Sequence, residues 1–365
     1  MGTTAQKLQA IANSKAAIKS SLQTKFNKPE FSLPLNDKLA DWSVAIDNYG
    51  KTWKAKPRIQ AAEYRMKYGA KFQGANPLTN TDIWADRTIE TVDLTDLSAV
   101  GSFGLGAAFA YCPNLKTIIW NERHSLPNYT DQQGSTYKYQ HMFHGCTGLS
   151  GDLSVDLSEG TASNAKSYSF QYLFYETRFS TADVKLTDTL QPSESSYNSM
   201  LGNNPNLTKV VMRGLKNVPY ASSGTTFGSG TSNYLAYSTN VSEIEFPDLE
   251  WVGYENSDGA YARCLFGWID TSTYSQRITL KFPKLRWFGI KGSSQNHSWF
   301  TGSTMATNSC LEHIYLPSCV HLGQYAFGQC RDLTIHYAAA NRAAIEACTG
   351  GPTFGAPNAT VLYDL

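Results

Sequence analysis

The sequence predicts a mainly β fold: a solenoid of stacked coils with short strands, preceded by an α-helical segment and closed by a C-terminal helix-plus-strand cap. Three observations predict it. Tyr (21), Phe (17), Trp (8) and Gly (28) are plentiful while charged residues make up only 17%, the composition of a β-rich, turn-rich chain rather than a disordered one. The decapeptide IEFPDLEWVG (244–253) returns as LKFPKLRWFG (280–289) and as IYLPSCVHLG (314–323), and VDLTDLSAVG (92–101) is a fourth copy with Thr in place of Pro. A second block, Phe-x-x-Cys-x-x-Leu, follows at Phe109, Cys112, Leu115 and at Phe327, Cys330, Leu333.

The elements follow in chain order. Residues 1–50 place Leu8, Ile11, Ala12, Ile18 and Leu22 at helical spacing in AQKLQAIANSKAAIKSSLQTKF, which predicts a helical segment. The stretch 51–88 is basic and reads as a connector helix plus loop. Repeats fill 89–337. In EIEFP, Ile244 and Phe246 point one way and Glu245 the other, the period of a half-buried strand. Pro247 ends ladder pairing. Leu249 and Val252 turn back inward, and Gly253 permits a turn that a side chain would obstruct. The second block recurs at Phe143, Cys146, Leu149 and, weakened, at Leu201, Asn204, Leu207; Phe174 to Phe179 is a version shorter by one. The copies recur within the roughly 20–50 residues typical of repeat arrays. One coil cannot bury its own apolar side, whereas stacked coils can. Ala338–Cys348 reads as a helix, followed by a Gly/Pro loop and a final strand, ATVLYDL, so 338–365 suits a terminal cap.

LPSCVHLGQYAFGQCRDLTI resembles the leucine-rich repeat of the BspA-like type, and the likeness covers about residues 89–337. It implies a leucine-rich-repeat solenoid. The segments 253–277 and 289–310 are longer than the family's compact repeat and imply protruding loops or hairpins. KLQAIANSKAAIKSS, followed by NDKLADWSVAI, resembles the N-terminal segments of bacteriophage virion fibre and tail proteins. That resemblance implies attachment to other virion proteins through residues 1–50. The first residues lack a continuous apolar core, so no secretory signal is expected; Gln6 breaks the myristoylation pattern that MGTT begins. Together these imply a non-enzymatic virion structural protein (fibre, tail or capsid decoration), made in the host cytoplasm, displaying its repeats toward a host-surface protein or glycan. A homo-oligomer, dimer or trimer, is the expected assembly. The alternatives are a BspA-like adhesin on a bacterial cell surface whose signal has been removed and, from another class, a carbohydrate-active enzyme.

The chemistry-bearing residues point the same way. Net charge is +1, which leaves no electrostatic footprint for nucleic acid, and no run is long enough to insert in a membrane. Seven Cys without a CxxC pair read as reduced, buried thiols. His141, His144 and Cys146 form HxxHxC, but a metal site needs further converging ligands, and Cys146 already belongs to the repeat's interior, so no metal or other cofactor is expected. His297, His313, His321 and His336 are scattered and read as satisfied or solvated. No nucleophile elbow or phosphate loop is present. Asp93, Glu245, Asp248 and Glu250 fall at outward positions and nominate no catalytic pair. Two outward rows remain: Ile119, Val211, Glu245, Lys281, Tyr315, and Ala99, Trp251, Trp287, His321. Trp251, Trp287, Tyr315 and His321 are the candidate ligand-binding residues, since aromatic faces hold sugar rings and anchor interfaces. The bland alternative is that Trp251 and Trp287 stack on each other and shield the core edge.

Overall fold

In the computed structural model the described residues are 13, 16, 20, 52–55, 58–59, 89–100, 105–126, 139–158, 170–188, 197, 199–218, 240–252, 277–288, 311–323, 327, 330 and 332–365. Short apolar–polar alternations turn most copies into strands with one buried face. The strands are β1 (Thr52–Lys54), β2 (Arg58–Ile59), β3 (Thr91–Asp93), β4 (Ala99–Val100), β5 (Thr117–Ile119), β6 (Ser150–Asp156), β7 (Arg178–Lys185), β8 (Lys209–Arg213) and β9 (Asn217–Val218). They continue as β10 (Glu243–Glu245), β11 (Trp251–Val252), β12 (Ile278–Lys281), β13 (Trp287–Phe288), β14 (Leu311–Leu316), β15 (His321–Leu322), β16 (Thr334–Tyr337) and β17 (Thr360–Leu362). The helix α1 (Arg342–Glu346) lies between the last two, after a single 3-10 turn at Ala339–Asn341.

Four parallel sheets result: β1-β3-β5, β2-β4, the eight-stranded β17-β16-β14-β12-β10-β8-β7-β6, and β15-β13-β11-β9. In the large sheet Ile244 pairs in register with Val210 and Leu280, Leu280 with Ile314, and Ile314 with Ile335. All five are buried. Against their inner face stand the turns of the second block. Phe109, Phe143 and Phe174 stack at 5.5 Å between successive ring centres. The same turns are joined edge to edge, with Phe109 N–H donating to Met142 O and Phe143 N–H to Leu173 O. Cys146 Sγ donates to Phe109 O at 3.0 Å, while Thr177 and Asn204 stand where the other copies have Cys, and Thr177 Oγ1 donates to Asn204 Oδ1 at 2.6 Å.

The described chain is therefore mainly strand in parallel sheets, and the leucine-rich-repeat solenoid with helical ends gives way to that description. Among the described residues the three-stranded sheet stops at β5 and meets the large one only through the bridge Ser125↔Asp156. A local cause is visible: Asn121 Oδ1 accepts from the N–H of Arg123 and Ser125, and Asn121 Nδ2 donates to Ser125 O, so the side chain claims backbone groups that a ladder would use. The expected helical segment at 1–50 lies outside the described residues, apart from Asn13, Ala16 and Ser20. Of the stretch 51–88, read as a connector helix plus loop, the described part instead supplies β1 and β2. The helix expected over Ala338–Cys348 becomes the 3-10 turn at Ala339–Asn341 followed by the five residues of α1; no side chain caps α1, and the Asn341 amide donates to Pro317 O. β17 forms as the edge strand of the large sheet. The inserts at 253–277 and 289–310 lie outside the described residues except for Arg277. No helix among the described residues is long and apolar enough to cross a membrane.

Candidate functional site

Two outward surfaces carry the residues singled out by sequence. The first is the four-stranded sheet. Its inward positions Val252, Phe288 and Leu322 are buried, which turns the preceding residue of each strand outward. Asn217, Trp251, Trp287 and His321 consequently form one row in register. The residues before them, Lys216, Glu250, Arg286 and Val320, form a parallel row joined by backbone hydrogen bonds of 2.8 to 3.0 Å. Trp251, Trp287 and His321 are each half-buried.

Trp287 stacks on the His321 imidazole, 3.8 Å between ring centres and 14° between planes. The Arg286 guanidinium lies over the Trp251 ring at 5.7 Å. His321 Nδ1 is 3.6 Å from Cys348 Sγ, and its Nε2 is buried without a hydrogen-bond partner. Burial pushes the His321 pKa down, which favours the neutral ring at neutral pH. Burial also pushes the Cys348 thiol up, so the pair is not a thiolate–imidazolium couple.

Tyr315 is not part of this row. It lies on β14 in the large sheet, in register with Lys281 and His336, and stacks on the His336 ring at 4.2 Å and 5°. The row named from sequence is otherwise found from Val211 through Glu245 and Lys281 to Tyr315, but Val211 is buried. Ile119 belongs to the three-stranded sheet, and Ala99 pairs with Arg58 rather than extending the tryptophan row. Sequence reasoning missed what surrounds Tyr315. Asp364 accepts from His336 Nδ1 at 3.0 and 3.1 Å, and His336 Nε2 is 3.1 Å from His313 Nδ1. Aligning IYL with TIHY would have placed Tyr315 beside His336.

A second buried pair was noticed in sequence and is brought together by the turns. His141 Nδ1 lies 2.8 Å from His144 Nδ1, and His144 Nε2 lies 3.5 Å from a Glu176 carboxylate oxygen and 3.3 Å from Tyr111 Oη. The His141 ring stacks on Tyr172 at 4.6 Å. Burial, aided by the neighbouring His144, drives His141 down to about 3, and the hydrogen bond from His144 holds Glu176 below the usual carboxylate range. Among the described residues no group of three or more His, Cys, Asp or Glu is arranged to hold a metal ion. Two outward carboxylates are engaged: Glu243 takes Lys209 and Lys281 at 2.6 Å each, and Asp248 takes Lys284 at 2.8 Å and Gly214 N–H at 2.9 Å. No protein family, curated protein or solved structure with which the chain was compared matches it.

Proposed function

We propose that this chain is a non-enzymatic structural protein of a bacteriophage virion, a fibre, tail or capsid-decoration component, that displays its β domain for adhesion to a host-surface protein or glycan. One observation carries the adhesive half: Trp251, Trp287 and His321 stand in register on an outward sheet row, half-buried and supported from below by Val252, Phe288 and Leu322. Rigid aromatic rings on a flat support present apolar area at little cost in lost rotamer freedom. The resemblance of residues 1–50 to virion attachment segments supports the other half, with docking on other virion proteins and assembly as a homo-oligomer.

Purified phage particles labelled with antibody against residues 89–337 and viewed by negative-stain microscopy test it. Label at a fixed place on the particle is the expected result. Bare particles with label on the bacterial envelope would transfer the adhesin to the cell surface and overturn the virion reading.

A further inference from the structure

The geometry points to β17 as a dimer contact: two copies of this chain join antiparallel along their last strands, about a two-fold axis at Val361, so that the large sheet runs on from one protomer into its partner. The inference rests on the homo-oligomer reading above, names its surface and makes the assembly a dimer rather than a trimer. Thr360 N–H donates to Leu333 O, and the bonding side alternates from residue to residue along a strand. The N–H and C=O of Val361 consequently point away from β16. The backbone groups of Ala359 and Tyr363 have the same sense, and among the described residues they make no hydrogen bond. Ile119, Leu362 and Leu365 are the large apolar side chains left exposed among the described residues, and two of the three stand at this edge. Proteins blunt such an edge with charge, proline, a bulge or a cover. Residues 359–363, ATVLY, carry no charge and no proline, and β17 follows β16 without a register break.

The complement of a row of unpaired backbone groups is another strand. A second β17 fits on three counts. Centred on Val361, the antiparallel register pairs Ala359 with Tyr363 of the partner subunit, so all three residues can exchange both backbone bonds. It lays Leu362 across from Thr360 of the partner subunit, both on the outward face and both exposed. It sets the two Asp364 carboxylates at opposite ends of the contact, and a net charge of +1 lets the copies approach with little repulsion. The β6 edge is a poor complement, with its register break after Gly151 and Asp156 already bridged to Ser125. Copies therefore close as an isologous pair instead of running on head to tail as a filament. β17 is only three residues long, so the contact falls short of the roughly 1,600 Å² of a standard interface, and the dimer dissociates on dilution.

Sedimentation velocity on the full chain, from about 1 to about 200 µM, tests it. Single molecules at the low end and dimers at the high end, with nothing larger, are the expected result. Val361→Pro removes an outward N–H and leaves the β16 ladder intact, and Leu362→Lys puts a charge into an uncharged contact. Each should raise the dissociation constant at least about tenfold. Ile119→Lys, at the exposed apolar side chain of the three-stranded sheet, should leave it unchanged. Urea midpoints equal to the parent's show that the variants fold; should Val361→Pro lower its midpoint, Leu362→Lys decides alone. A dimer indifferent to the changes in β17, one weakened equally by Ile119→Lys, or species that grow past two overturns the β17 contact while leaving a homo-oligomer in place. A chain that stays single throughout overturns both, and the outcome of particle labelling is independent of all of these.

Discussion

At the scale of single residues, His141 is where burial and charge are most at odds. Its ring is 3% exposed and is held neutral to about pH 3, whereas an unfolded histidine titrates near 6.5. The folded-state value is depressed, so the unfolded chain takes up this proton first. Stability contributed by a neutral His141 is complete above about pH 6.5 and is lost as pH falls toward 3. The slope approaches one proton, about 1.4 kcal/mol per pH unit, and the whole loss is on the order of 5 kcal/mol. Glu176 adds to the same trend at lower pH, since its folded-state value is depressed too. Urea unfolding at several pH values between 7 and 4 should give His141→Phe a slope smaller by about one proton, whatever its stability at pH 7. Parallel slopes for the two proteins would show that His141 titrates normally. The contrast with Cys146 is chemical: burial raises that thiol and favours its uncharged form, so it adds no pH dependence in this range.

At the scale of elements, the turns show how one position can be filled by two chemistries. Cys146 fills it with a thiol bonded to Phe109 O, and Asn204 fills it with an amide that donates to Phe174 O at 3.0 Å and Leu201 O at 2.8 Å while accepting from Thr177. Asn204 is fully buried, so Asn204→Ala takes the amide from Leu201 O and leaves the Thr177 hydroxyl and Phe174 O with only the 3.0 Å bond between them, and should cost about 1–3 kcal/mol, measured by urea unfolding. A loss under about 0.5 kcal/mol would mean that water or repacking replaces the amide. The sequence made the alignment readable, because MLGNNPNL keeps Leu201 and Leu207 around Asn204, but the bond to Thr177 depends on the neighbouring turn. The same limit recurs in the strands. Copies bearing Phe-Pro or Leu-Pro placed Ile244 beside Leu280 and Trp251 beside Trp287, since equal spacing gives equal register. Tyr315, which the sequence places in the row with Lys281 and names among the ligand-binding candidates, lies on a different sheet from His321, with Pro317 and the turn after β14 between them. The end of the three-stranded sheet was illegible because it follows from Asn121 bonding to residues two and four positions on, a contact no periodicity announces.

At the scale of the molecule, each large-sheet strand borders only its predecessor and successor within that sheet, so the last strand guards the apolar layer beneath it. β17 pairs with β16 through Thr360, Val361 and Leu362. Asp364 pins His336, Leu365 N–H donates to Tyr337 O, and Tyr337 Oη donates to Pro352 O at 3.1 Å. Ile345 and Phe354 fill the space beneath, both fully buried, and Phe354 O accepts from Phe327 N–H. Removing residues 340–365 would therefore strip Ile335, Tyr337 and Phe327 of cover together and open the edge of β16. An uncovered parallel edge with apolar residues behind it invites pairing with another chain. Light scattering after size exclusion should find the shortened protein self-associated at concentrations where the whole chain is not. The opposite edge is guarded differently: β6 has a register break after Gly151, and its last residue, Asp156, is already bridged to Ser125. A shortened chain that keeps the size distribution and far-ultraviolet spectrum of the parent would show that the large sheet closes itself without its final strand, and that residues 340–365 serve some other contact.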